Sequence, residues 1–364
     1  MDYRTSAGTN ESSHLFRKAR GGKLALLSLL ALGLGFTTLA GRAVDAVAKY
    51  RVAQRWPLAG TGGWSFLVVD DAAHRLYVPR DTRVTVLNTN NGDTVGEIKG
   101  LTDVRGIALD PNGELGYVSD GIAGTVHVFN RSTLRLMSSI VVGGIPDAIV
   151  FEPTTHRLLV FNTHNKSVAS IDTSSLRIVK TLVLPGKPAV AISDRAGSVF
   201  VSLVNTSQLA KLDARTLTLQ SVWPLGPCVG PSGIAVDTTS VRVFSVCENK
   251  KMAVSDGRNG NLVATVPIGE GAKTVAFDQT EHLIFSANAE GTVTVIEEET
   301  PDKFSQVQLL ETEPGARTMA FDPEHRQSYV VSAKFGQRTE PTSEELQFRP
   351  APVPDSAAVL VISR

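Results

Sequence analysis

Three observations predict an all-β chain folded as a seven-bladed β-propeller of four-stranded antiparallel blades. An apolar stretch ending in an acidic residue recurs seven times, each copy carries four short strand patterns, and the last copy stops one strand short. The acids are Asp70, Asp110, Glu152, Asp194, Asp237, Asp278 and Asp322, separated by 40 to 44 residues. A blade of a propeller takes roughly 40–45 residues.

Each acid is followed by a turn and then by a second apolar strand, headed by Tyr77, Tyr117, Leu159, Phe200, Phe244, Phe285 or Tyr329. The third and fourth strands show as alternating apolar runs, such as Thr125–Phe129 and Ser139–Val142, separated by Asn, Asp, Ser, Thr and Gly. No segment after Ala48 carries a helical period, so the strand–helix alternation of a parallel α/β sheet is excluded. Because the acids recur in every copy, turn hydrogen bonding explains them better than an acid–base pair.

The last copy ends with Val359–Ile362, and the strand it lacks lies at the beginning of the chain. Tyr50–Gly60 matches the outer-strand pattern of Val179–Gly186, so an N-terminal strand joining the last blade is expected to close the ring. Closure leaves only short, protected sheet edges. Residues 335–358, with Pro341, Pro350, Pro352 and Pro354, form an insertion between two strands of the last blade, either a disordered loop or a lid.

The segments Tyr77-Val78-Pro79-Arg80, Tyr117-Val118-Ser119-Asp120 and Phe285-Ser286-Ala287-Asn288 resemble the YVTN repeat family, and the resemblance covers residues 50–364. It implies a secreted or periplasmic seven-bladed propeller, close to the surface-layer, lactonase-like and cytochrome-d1-like propellers. Fold carries over with such a resemblance; activity does not.

Ahead of the repeats, Arg17, Lys18, Arg20 and Lys23 precede an uncharged run from Leu24 to Ala40. Basic residues before a Leu- and Ala-rich run describe a secretory signal, with Val44-Asp45-Ala46 offering small residues for cleavage. The run is 17 residues, at the short edge of the ~17–25 that span a bilayer, so an uncleaved membrane anchor is the competing reading. The expected division is 1–46 as signal and 47–364 as propeller, in the periplasm or outside the cell. Residues 1–46 carry six basic and three acidic side chains, which leaves 30 Lys+Arg against 33 Asp+Glu, a net charge of −3. A polyanion-coating surface is therefore not expected.

Cys228 and Cys247 are the only cysteines. One lies in the loop entering the fifth blade and the other ends that blade's second strand, which places both on one face. In an oxidising compartment a structural disulfide is expected.

Loops that enter each blade, and loops between second and third strands, fall on the same face of a propeller, the face whose channel mouth commonly holds ligands. The entering loops contain Trp64, Arg105, Asp147, Lys187, Ser232, Lys273 and Arg317. The second-to-third-strand loops contain Asp120, Asn162, His164, Asn205, Asn249, Asn288 and Lys334. This ring is the candidate ligand site, and its cations outnumber its acids, which favours an anionic small ligand or protein partner. Solvated, mutually paired charge is the plainer explanation of the same residues.

Catalytic and cofactor signals are weak. His74, His156, His282 and His325 all occupy the turn after a first strand, on the other face, and are expected to be spread around the ring too far apart to share one ion. Ser232 has no Gly-x-Ser-x-Gly elbow around it, Gly143-Gly144 opens no helix, and no Cys-x-x-Cys-His haem site exists. No metal, cofactor or catalytic residue is assigned, and a monomer is expected.

The leading expectation is thus an exported, non-enzymatic binding or scaffold propeller. A lactonase-like or metal-dependent hydrolase would need an oxygen-rich cage around Asn162, Asn205, Asn288 and acids such as Asp120 or Glu248, in a mouth that is rich in cations. Single-stranded nucleic-acid binding, which the family resemblance also implies, would use the basic ring with Trp64 as a stacking surface.

Overall fold

The computed structural model describes residues 49–336 and 352–364. The expected signal, residues 1–46, and residues 337–351 of the Pro-rich insertion lie outside the described residues. Among the described residues no helix is long and apolar enough to cross a membrane.

Among the described residues, twenty-eight strands form seven four-stranded antiparallel sheets. The inner strands of blades one to seven are Val68–Asp70, Val104–Leu109, Pro146–Glu152, Pro188–Ser193, Pro231–Asp237, Thr274–Asp278 and Thr318–Asp322. In six blades the other three strands follow in chain order. The seventh takes Gln327–Ser332 and Ala358–Ser363 from the C-terminal end of the chain and Arg51–Pro57 as its outer strand. There Arg51 pairs with Ser363 and Trp56 with Val359, with a bulge between Val52 and Gln54.

Packing between blades follows from the residues that head the second strands. Tyr77, Tyr117, Leu159, Phe200, Phe244, Phe285 and Tyr329 are all fully buried, and three of the rings press on a phenylalanine in the inner strand of the next blade. Tyr117 stacks on Phe151 at 6.3 Å, Phe244 meets Phe277 at 5.1 Å and Phe285 stacks on Phe321 at 5.7 Å. Each such pair contributes about 0.5–1.5 kcal/mol beyond its buried area.

The seven acids cap the turn after the inner strand. Asp237 accepts the backbone N–H groups of Thr239 and Ser240, Asp278 those of Thr280 and Glu281, and Asp322 those of Glu324 and His325. Glu152 does the same for Thr154 and Thr155 and also accepts the Gly197 N–H of the next blade.

The N-terminal strand is held on several sides. The Gln308 side chain accepts from the Tyr50 N–H and donates to the Tyr50 carbonyl, tying the strand to blade six. Trp56 packs on Tyr329 at 5.4 Å and covers Gly92 of blade one. Gly92 has φ +79°, and a Cβ there would lie 2.4 Å from the indole, so both backbone and space require glycine.

Candidate functional site

The structure sorts the fourteen ring residues into those that build the loops and those that face the mouth. Asp120 is buried and accepts from the Thr102 N–H at 2.6 Å, the Thr102 hydroxyl, the Asp103 N–H and the Ala123 N–H. Burial alone would raise its pKa, but these donors outweigh it and hold the carboxyl below its ordinary value. Asn162 accepts from Asn165 N–H and donates to the Gly143 carbonyl. Asn205 accepts the Lys187 N–H at 2.6 Å, and Asn249 joins Val229 N–H to the Pro227 carbonyl. Asn288 is fully buried and donates to the Thr292 and Thr294 hydroxyls. In five blades, then, a residue at or just after the end of the second strand holds its own blade's loops.

Ser232 is also architectural: it is buried, and its hydroxyl donates to the Ala272 carbonyl of blade six at 2.9 Å. Equivalent struts cross other seams, from the Ser119 hydroxyl to the Asp147 carbonyl at 2.6 Å and from the Thr274 hydroxyl to the Arg317 carbonyl at 3.1 Å.

Trp64 packs on Phe335 with centroids 6.0 Å apart. Phe335, which opens the insertion, pairs as a β-bridge with Pro352, and the Val353 N–H donates to the Lys334 carbonyl, so the base of the insertion is pinned beside the mouth. His164, Lys187 and Lys334 are exposed.

Arg105, Asp147, Lys273 and Arg317 are half-buried around the mouth itself. Arg105 Nε donates to Asp103 at 2.7 Å, and Lys273 Nζ lies 6.0 Å from the centre of the Phe66 ring. The Asp147 carboxyl accepts the Thr163 hydroxyl at 3.2 Å. Burial raises its pKa, and Arg105 of blade two and Lys273 of blade six, both near enough to favour its charge, do not cancel that rise.

Two glycines let these backbones approach. A Cβ on Gly106 would lie 2.7 Å from the Asp147 carbonyl oxygen, and one on Gly233 would lie 2.8 Å from that of Lys273. Real Cβ atoms need more room, so glycine permits adjacent inner strands to close on each other at this end of the channel. The channel is accordingly narrow here, about 160 Å³ between Phe66, Gly106, Ala148, Gly233 and Thr274. Toward the other face it widens to about 690 Å³, lined by Phe151, Phe277 and Phe321 with Asp71, Arg195 and Gln279 at its rim. Alternation along the short inner strands gave no sign of this asymmetry.

Cys228 and Cys247 form a disulfide, both buried, with Cα atoms 5.6 Å apart. It joins the loop entering blade five to the end of that blade's second strand, beneath the loop that Asn249 holds.

The expectation that the turn histidines stand apart is corrected. His74 of blade one and His325 of blade seven meet with ring centroids 5.5 Å apart. His74, His156 and His282 occupy the left-handed fourth position after their acids, with φ between 51° and 55°. In blade seven that position is Arg326, φ 53°, and His325 lies one residue earlier. Neighbouring turns face each other across a seam, so this offset brings two rings together that equivalent positions would keep apart.

No family model matches the chain, and no curated protein matches it. Among solved structures it is similar to Kuenenia stuttgartiensis hydrazine synthase, with TM-score 0.63, 15% identity, 75% of this chain and 92% of that one covered. It is similar to U3-55K with TM-score 0.71 and 12% identity, covering 86% of this chain and 99% of that one. The RRP9 WD40 repeats give TM-score 0.68 and 12% identity, with 85% and 100% covered. At these identities the likeness concerns the fold, and the fold is a seven-bladed β-propeller with WD40-repeat structural neighbours.

Proposed function

We propose that the chain is an exported binding propeller of the YVTN type, which uses the narrow, cation-lined mouth of its channel to hold an anionic group of a small ligand or partner protein. One observation carries this reading: Arg105 and Lys273, from blades two and six, both act on the half-buried Asp147 of blade three. Cations from separated blades thus converge at one place in a chain whose propeller is slightly acidic overall. A buried mouth focuses such a field more than an open surface does. The pinned base of the insertion, with Phe335 on Trp64, supplies an apolar wall next to it. Export rests on the basic and apolar N-terminal segment, and the disulfide is compatible with it.

A fluorescein-labelled oligoglutamate peptide, followed by anisotropy at low and physiological salt, tests the reading. Lys273→Ala with Arg317→Ala is expected to weaken binding by about tenfold or more, as loss of partly desolvated charge does. Asp147→Asn removes a half-buried carboxylate from the mouth and is expected to strengthen it severalfold. No binding by the wild type at low salt, or the opposite order of the variants, overturns it.

A further inference from the structure

On the face opposite the cationic mouth, one ring nitrogen each of His74 and His325 and one carboxylate oxygen of Glu324 lie within 4.8 Å of one another. The three come from two blades and from sequence positions about 250 residues apart, so no local turn requirement groups them. His74 and His325 are half-buried and Glu324 is exposed, which leaves the group accessible while its neighbours fix it.

Two features distinguish this group from a chance ion pair. The His325 Nδ1 lies 3.0 Å from the Asp322 carboxylate, which is fully buried and also accepts the Tyr329 hydroxyl at 3.2 Å. A carboxylate only accepts, so Nδ1 carries the proton and Nε2 keeps its lone pair. A carboxylate orienting a histidine in this way is the usual support of a metal ligand. The second feature is the His74 Nδ1, which is buried without a hydrogen-bond partner and lies 3.5 Å from Glu324 Oε2. Its polar neighbour there is that carboxylate, and a cation seated between the two is ligated by both.

We propose that His74, Glu324 and His325 bind a transition-metal dication of the zinc class, with one coordination position left to water or an exogenous ligand. Two imidazoles and one carboxylate are a donor set suited to such an ion, whereas magnesium and calcium prefer oxygen. Bonds of about 2.0–2.2 Å in a tetrahedron require the three donors to close somewhat, which the accessible His74 and Glu324 side chains can do by rotation. The ion links blade one to blade seven, the blade in which Arg51–Pro57 pairs with Ala358–Ser363. Asp71 and Pro323, each close in sequence to a ligand, line the wide end of the channel, so the site lies near the larger cavity.

The test is cobalt(II) and zinc(II) titration of the full chain, freed of metal, by visible absorption and calorimetry. The expected result is one ion per chain at micromolar affinity, a tetrahedral cobalt spectrum and a higher thermal midpoint with zinc but not magnesium. His74→Asn is the informative variant, because asparagine tolerates the left-handed backbone of that position while removing the imidazole. It and His325→Ala are expected to lose at least tenfold in affinity. His156→Asn, the same turn position in blade three, is expected to bind as wild type. Absence of stoichiometric binding, or His74→Asn binding as tightly as His156→Asn, overturns the proposal; should His325→Ala not fold, that comparison still decides.

Discussion

Arg131, in the turn between the third and fourth strands of blade two, reaches across the seam and grips the Asp70 carboxylate of blade one. The Nη2–Oδ1 distance is 2.6 Å and the Nε–Oδ2 distance 3.0 Å, with the two side chains 14% and 1% exposed. Its Nη1 also donates to the carbonyls of Asp110 and Gly113. Arg131→Ala leaves a buried carboxylate without its cation and two carbonyls without a donor. Breaking a buried pair from one side costs about 3–5 kcal/mol. A urea titration should show a lower midpoint with unchanged slope, and adding Asp70→Asn should recover part of the loss.

The same grip shows where sequence reasoning stops. The seven acids could be read as blade markers because each caps a turn in its own blade, a relation local in sequence. That Asp70 is also held by Arg131, or that Asp237 is held by Gln279 of the next blade, depends on which turn side chains face across a seam. A repeat period gives distances along the chain and says nothing of that. His74 and His325 were misjudged for this reason: a one-residue offset in a single turn decided the contact.

The candidate ring was legible as a place and less so as a set of roles. A polar residue ending the second strand serves equally well as a ligand contact or as a loop tie, and Asp120, Asn162 and Asn288 proved to be ties because Thr102 and Asp103 donate to the first, the second joins Asn165 N–H to the Gly143 carbonyl, and the third donates to Thr292 and Thr294. Arg105, Asp147 and Lys273 remain at the mouth because their backbones are drawn inward by Gly106 and Gly233, glycines that look like any others in sequence. A second repeating series, Asn88, Asn130, Asp172, Asp213 and Asp256, has the same period as the acids. It caps the turn after the third strand, with Gly92, Leu134, Leu176, Leu217 or Gly260 left-handed four residues later. That series was available from spacing alone.

The Cys228–Cys247 disulfide closes a loop of 19 residues. In the chain-entropy account such a loop is worth roughly 3 kcal/mol. Spread over a propeller of this size, that corresponds to a fall of about 5 °C in thermal midpoint on removing the bond. Calorimetry of Cys228→Ala/Cys247→Ala beside the wild type checks it. Reduction of the wild type should reproduce the double variant, and equal midpoints would mean that Asn249 and its backbone partners hold the loop unaided.

Asp256 gives blade five a defined acid sensitivity. It ends the third strand, and Arg258 donates to it through Nε at 2.9 Å, Nη2 at 2.7 Å and its backbone N–H at 2.9 Å. Arg242, itself almost buried, adds an ion pair at 3.0 Å. The Arg258 hydrogen bonds are the main reason the carboxyl pKa falls from 3.8 to about 2; burial opposes the fall and the Arg242 charge assists it. A carboxyl whose folded pKa is depressed contributes stability that is complete above its unfolded value and lost as pH drops through its folded value. The window is therefore from about pH 4 down to about pH 2. Asp256→Asn should be less stable than wild type at neutral pH by about 1 kcal/mol, because solvent around the exposed Arg258 screens the pair. The gap should close across that window, because the wild type then carries a neutral carboxyl in the same place. Other capping acids, Glu152 and Asp237 among them, are also held below their ordinary values, so both proteins lose stability in acid and only their difference reports on Asp256. Urea midpoints of the two proteins between pH 7 and about pH 2 measure that difference, and a gap that stays constant would show that the charge of Asp256 contributes nothing to the fold.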